Sequence, residues 1–276
     1  MRLALGSQTF DLSTRALVMG ILNRTPDSFY DAGAHFALDA LCRRSDELVA
    51  EGADILDVGG VKAGPGPGVG PAEEMDRVIP AVEAVVDRFD VPVSVDTWRA
   101  DVAAAAYQGG AVMGNDISGF SDPRYLPVSA AAGATVVATH IRLAPRVPDP
   151  EPRYDDVVAE VRAFLADRAR RAERAGIPPE RVVVDAGLDL GKTAHQSLVL
   201  LQESRRLAEL GYPLLLSASN KTFLGRLLDL GIDQRHPATL AATAIGVIGG
   251  CRIVRAHDVR GARRVCDVVT AILEAQ

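Results

Sequence analysis

Cysteine is scarce in this chain: Cys42, Cys251 and Cys266 are the only three in 276 residues, and no Cys-x-x-Cys spacing occurs. An odd number in apolar or helical surroundings argues against a disulfide framework or a thiolate zinc site, and reads as reduced core residues. Long apolar runs are missing as well; none reaches the roughly 18 residues that a membrane span needs. Arg2 is followed at once by Leu3 to Phe10, too short and too polar for a signal peptide, so a cytoplasmic protein without membrane contact is expected. Basic charge is not in excess. The 30 Lys and Arg against 36 Asp and Glu leave a net charge of -6, and no basic run interleaves with aromatics, which form only 5% of the chain. Nucleic acid is therefore not an expected partner. Gly-x-Gly-x-x-Gly after the first strand, Gly-x-Ser-x-Gly and a Cys or Ser-His-Asp nucleophile pattern are all absent. Gly191-Lys192-Thr193 resembles the tail of a phosphate loop, but Gly187 leaves its spacing one residue short.

What is present is a globular composition, 48% hydrophobic and 24% charged, whose length permits one or two domains. Ala16 to Leu22 reads as a buried strand that ends at Asn23, because Thr25-Pro26-Asp27-Ser28 cannot continue a central ladder. Helix periodicity over Leu38 to Ala50 stops at Gly52. A strand over Asp54 to Val58 then gives way to Gly59-Gly60 and a loop too rich in Gly and Pro for a regular element. The same alternation predicts helices over Pro71–Arg88, Arg99–Tyr107, Pro123–Ala132, Tyr154–Ala175, His195–Leu210, Ala238–Ile248 and Val259–Ala275. Strands are predicted at Pro92–Val95, Val112–Gly114, Thr135–Ala138, Arg181–Val184, Pro213–Leu216 and Cys251–Val254. Leu143 to Pro152, with four prolines, reads as a loop.

Eight strand-helix units with no linker describe a single-domain α/β fold over residues 1–276, a (β/α)8 TIM barrel; a doubly wound open sheet is the alternative that lacks its glycine fingerprint. Barrel sites gather at the C-terminal strand ends, which places Asn23, Gly59 and Gly60, Asp96, Asn115, His140, Asp185, Lys221, Arg255 and His257 on one rim. Asp96, Asn115, Asp185 and Lys221 can present acceptors and donors around a flat heterocycle, Asp185 pairing with adjacent ring N–H and amino donors. Arg255 with His257 suits a phosphate or diphosphate, and Asn23 suits a magnesium ion, Mg2+, shared with such an anion. Taken singly, each carboxylate or amide also reads as a helix cap, His140 as a packed rim histidine, and Arg255 with His257 as an ion pair with a neighbouring carboxylate.

Read together, Met19-Gly20-Ile21-Leu22-Asn23-Arg24-Thr25-Pro26-Asp27-Ser28-Phe29, Val93–Thr97, Asn115–Gly119, Asp185-Ala186-Gly187 with Gly191–Thr193, Ser219–Gly225 and Arg255–Asp258 resemble the dihydropteroate synthase family over nearly the whole chain. The resemblance implies a magnesium-assisted condensation of a dihydropterin methyl diphosphate with p-aminobenzoate, in a homodimer. It implies that Asp96, Asn115, Asp185 and Lys221 hold the pterin, that Asn23, Arg255 and His257 hold the diphosphate, and that Thr222, usually Ser, meets the benzoate carboxylate at a helix start.

The loops that complete the site depart from the family. The loop after the second strand usually reads Gly-Gly-Glu-Ser-Thr-Arg-Pro-Gly; here Gly59–Gly66 carries Ala63 and Gly64 where Thr and Arg are expected, and Lys62 offers a point charge in place of a fork. Asn220 replaces Arg, Ala186 replaces Pro, Leu188-Asp189-Leu190 replaces Ile-Gly-Phe, and Arg24 replaces an apolar residue. This pattern is similar to the divergent second copies of the family. Two functions follow: a synthase with reduced activity, or an inactive relative that binds a pterin or anion and acts as a binding or regulatory protein. A folate-binding methyl-transfer barrel is a third, less suited to the Lys221, Arg255 and His257 set.

Overall fold

Period-two alternation along the apolar segments closes the chain into a cylinder. A computed structural model describes residues 1–24, 34–64, 66 and 68–275. It begins with an antiparallel hairpin, β1 (Arg2–Leu5) and β2 (Gln8–Asp11), which periodicity did not disclose. Eight parallel strands follow: β3 (Leu17–Asn23), β4 (Ile55–Gly59), β5 (Val93–Asp96), β6 (Met113–Asp116), β7 (Thr135–Thr139), β8 (Val182–Asp185), β9 (Leu214–Leu216) and β10 (Cys251–Ala256). They pair in sequence order, and β10 pairs back onto β3 to complete a closed barrel. Helices fill the connections: α1 (Ala34–Ala50), α2 (Pro71–Val86), α3 (Ala100–Gln108), α4 (Tyr125–Ala131), α5 (Val157–Arg174), α6 (Ala194–Gln202), α7 (Ser204–Ala208), α8 (Thr222–Leu228), α9 (His236–Ile248) and α10 (Val259–Glu274). Among the described residues no helix is long and apolar enough to cross a membrane.

Side chains alternate between two cores. Leu56, Val58, Val93, Val95, Val182, Val184, Leu214 and Leu216 face the helices, while Leu17, Met19, Ile55, Met113, Val137, Val183, Leu215 and Ile253 fill the barrel interior. The hairpin seals the lower end: Leu3, Leu5 and Leu12 join that interior cluster, Arg181 donates to the Gly6 carbonyl at 2.8 Å, and Arg252 Nε donates to the Leu12 carbonyl at 3.1 Å. With apolar layers below, the next inward positions up each strand become the floor of an open mouth. That floor is polar.

Besides the hairpin, α8 is additional to the eight expected helices, and two of those eight differ in extent. The helix expected over His195–Leu210 is two helices, because Ser204 Oγ bonds back to the Leu201 carbonyl at 2.7 Å and Glu203 leaves helical geometry. The helix expected from Tyr154 starts at Val157, where the Asp156 carboxylate caps the amides of Val158 and Ala159, each at 3.0 Å.

Candidate active site at the barrel mouth

Strand register sets the first rank of side chains. Asn23 pairs laterally with Gly59, Gly59 with Asp96, and Asp96 with Asn115, so the ends of four consecutive strands lie side by side. Thr139 and Asp185 pair in the same way across β7 and β8. Gly59 keeps this rank open: a Cβ there would stand 3.3 Å from the Asp96 Cβ and 3.5 Å from Asn23 Oδ1.

Arg255 is the centre of the network. Its Nε donates to Asp57 Oδ2 at 2.6 Å and its Nη2 to Asp96 Oδ2 at 2.8 Å, while Asn115 Nδ2 donates to Asp57 Oδ2 at 3.2 Å. One guanidinium thus serves two carboxylates. Burial, opposed by Arg255 and reinforced by the charges of Asp57, Glu74 and Asp116, lifts Asp96 to about 7. Arg255 itself is pushed down by burial, but Asp57 and Asp96 more than offset that and hold it above its ordinary value. The sequence reading placed Arg255 apart from Asp96, in a diphosphate set; the fold joins them in one ion-paired cluster. Asp57, which that reading missed, is fully buried, and its Oδ1 has no hydrogen-bond partner among the described residues. The signal was there: a charged residue inside the apolar strand Ile55–Gly59, in phase with inward-facing Ile55.

Asp185 faces the same mouth from β8. Burial raises it above the ordinary carboxylate range, opposed by the Gly187 amide, which donates to Oδ1 at 2.7 Å, and by the charges of Lys221, Lys192 and Arg255. Gly187, at φ 64°, is required here, because a Cβ would stand 2.0 Å from the His140 carbonyl oxygen. Lys221 precedes α8 and donates to the Leu188 carbonyl at 3.1 Å; burial lowers its pKa against the opposing pull of Asp189 and Asp185. Behind Asp185 lies Lys192, unassigned by the sequence, whose buried ammonium contacts His140 Nδ1 at 2.9 Å and donates to the carbonyls of Gly187 at 2.8 Å and Leu190 at 3.0 Å. This fastens the turn after β8 to the end of β7.

Burial and the Lys192 charge lower His140 to about 3 from 6.5. The unfolded imidazole takes a proton below about 6.5 that the folded one refuses until about 3, so acid favours the unfolded chain throughout that window. Between pH 6.5 and pH 4 the protein is expected to lose about 2–3 kcal/mol more stability than a His140→Gln variant, measured by urea denaturation. Parallel curves for the two proteins would contradict a neutral, buried His140.

The remaining rim residues are placed less directly. His257 Nδ1 lies 2.8 Å from Ser219 Oγ, and desolvation with the charges of Arg255, Arg44 and Lys221 pushes it down to about 4, so its ring is neutral at pH 7. Thr222 starts α8, as expected of a helix start, but its amide already donates to Asp189 Oδ2 at 2.5 Å, and the Phe223 amide donates to Asp189 Oδ1 at 3.2 Å. Arg24 turns away from the mouth to α2, donating to the Arg77 carbonyl at 2.7 Å and reaching, at 3.4 Å, the Asp76 carbonyl that Pro80 leaves without its helical donor. The loop after β4 is tied down by Arg77 Nη1 on the Gly60 carbonyl at 3.0 Å, by Arg99 Nη2 on the Val69 carbonyl at 2.7 Å, and by the Arg146 amide on the Ala63 carbonyl at 3.2 Å. Between it, the loop after β7 and the start of α8 lies a cavity of about 260 Å³, lined among others by Gly64, Arg146, Asp189, Thr222 and Arg226. The Thr25–Phe29 part of the signature lies outside the described residues.

A family model described as pterin binding enzyme matches residues 19–257, from inside β3 to the end of the barrel. A protein of Mycobacterium leprae (strain TN) named inactive dihydropteroate synthase 2 is 43% identical over 268 residues, covering 94% of this chain and 91% of that one. The dihydropteroate synthase of Synechocystis sp. is 39% identical, covering 98% and 94%. This chain belongs to the dihydropteroate synthase family. The dihydropteroate synthase of Xanthomonas albilineans in complex with 7,8-dihydropteroate superposes with a TM-score of 0.89 at 37% identity, covering 99% of both chains. Membership of this family of transferases, the similarity to a second-copy relative and the barrel architecture agree with the motif reading.

Proposed function

We propose that this mouth binds 6-hydroxymethyl-7,8-dihydropterin diphosphate and joins it to p-aminobenzoate with release of diphosphate, a step of folate biosynthesis, at a rate reduced by the altered loop 59–68. The observation that carries the reading is the single polar floor in which Arg255 bridges Asp57 and Asp96, beside Asp185 and Lys221. Asp185 takes the amino and ring N–H donors of the pterin, with Asp96, Asn115 and Lys221 around its remaining edge. Arg255 keeps its Nη1 donors for the diphosphate, and neutral His257 adds an N–H donor. Asn23 Oδ1, at the rim beside Gly59, is a hard oxygen donor of the kind magnesium takes together with phosphate oxygens and water. When bound there, the ion would neutralise charge on the departing diphosphate. The C–O bond to diphosphate breaks with its electron pair on the leaving oxygen, and the carboxylates of Asp57 and Asp96 stabilise the methylene cation. The aniline nitrogen then forms the C–N bond and loses its proton to solvent.

Titration of the purified protein with the dihydropterin diphosphate, with and without p-aminobenzoate, tests this. Tight binding without diphosphate release rejects the enzyme and leaves the second reading, a pterin- or anion-binding regulatory protein. That reading is favoured by one observation: Asp189 already occupies the amides of Thr222 and Phe223. The assembly we propose is a cytoplasmic homodimer, using the exposed Ile245 and Ile248 of α9 with Val268 and Ile272 of α10; sedimentation equilibrium should return twice the chain mass.

The altered loop can be repaired. Among the described residues a Cβ at Gly64 meets no atom within 4 Å, and the position borders the cavity, which leaves space for an arginine. Ala63→Thr with Gly64→Arg is expected to raise kcat/KM about tenfold, the low end of a charge-assisted hydrogen bond. Unchanged kinetics in that double variant would discard the loop as the cause of weak activity.

A further inference from the structure

Asp189 stands in the turn after β8 at φ 67°, and its carboxylate accepts from the amides of Thr222 and Phe223. An incoming carboxylate therefore finds those donors engaged. Four residues beyond Thr222, one turn along α8 on the same face, Arg226 borders the same cavity. Among the described residues the Arg226 guanidinium has no hydrogen-bond or ion-pair partner. The other acidic side chain at this cavity, Asp149, is held bidentately by Arg142 and does not compete for it. Ile141, Leu143, Val147 and Leu190 supply apolar lining for a ring between Arg226 and the polar floor.

We propose that Arg226 is the specificity-determining anchor for the second substrate, its guanidinium and the Thr222 hydroxyl receiving the carboxylate of an aromatic amine, while Asp189 keeps that carboxylate off the helix amides. The inference rests on the condensation reading for the identity of the amine, but not for the existence of the anchor. A planar fork matches a carboxylate with two parallel hydrogen bonds, which a lone hydroxyl cannot do. The anchor is displaced by about one helical turn from the amides that Asp189 fills, roughly 5 Å along the axis.

Calorimetric titration of the full chain with p-aminobenzoate, in the presence of dihydropterin and diphosphate, reads this without turnover. Arg226→Gln is expected to weaken p-aminobenzoate about tenfold and to leave the neutral 4-aminobenzamide unchanged. Adding Asp189→Gly to Arg226→Gln is expected to recover most of that loss by freeing the two amides. Unchanged p-aminobenzoate affinity in Arg226→Gln, equal weakening of the amide analogue, or no binding of p-aminobenzoate by the unsubstituted chain would each overturn the anchor. Diphosphate release is followed in parallel: its absence, with Arg226-dependent binding intact, rejects the condensation and upholds the anchor.

Discussion

Asp57→Ala is expected to lower the free energy of unfolding by about 3–5 kcal/mol, read from urea denaturation, because it strands the Arg255 guanidinium in the barrel with half its partners gone. Asp57 is fully buried and accepts from both Arg255 Nε and Asn115 Nδ2. Removing one member of a buried pair leaves an uncompensated charge, which is far more damaging than replacing the pair as a unit. The exposed bidentate pair of Arg88 with Asp46 is the control: Asp46→Ala should barely move the same curve, since solvent replaces what it loses. Equal responses at the two positions would refute the claim that burial gives the Arg255 cluster its weight.

Asp185→Ala is expected to weaken dihydropterin diphosphate binding about 10²–10⁴-fold by calorimetry. In the binding mode proposed above, two charge-assisted hydrogen bonds to the pterin edge are lost, each worth about 1.5–3 kcal/mol. Asp185→Asn should fall between that variant and the unsubstituted chain, as the amide keeps one acceptor but turns a donor toward the ring donors. Because the Gly187 amide donates to Asp185 Oδ1, a denaturation curve must accompany the measurement. A loss below tenfold with the fold intact would show that the pterin edge is read elsewhere, and Asp57 Oδ1, without a partner among the described residues, is the alternative acceptor.

Lys192 illustrates why part of this site escapes a linear reading. In sequence it is the end of an imperfect phosphate loop; in space its ammonium is a cross-brace between the β7 and β8 ends, held by His140 and by the carbonyls of Gly187 and Leu190. No spacing along the chain encodes that contact, since the partners span 52 residues. Asp189 is similar. As a departure from the family pattern it was visible, but its effect depends on where the start of α8 arrives.

The repeating strand-helix order, the strand ends at which polar residues stand, and the family were all legible along the linear chain, because apolar periodicity and short motifs are local properties. The sharing of Arg255 between Asp57 and Asp96, the filling of the Thr222 and Phe223 amides by Asp189, and the hairpin that seals the lower end of the barrel emerge with folding. Those outcomes depend on strand register and loop packing. They are set by which buried charges can find partners once the cylinder closes, and that is a property of the whole chain.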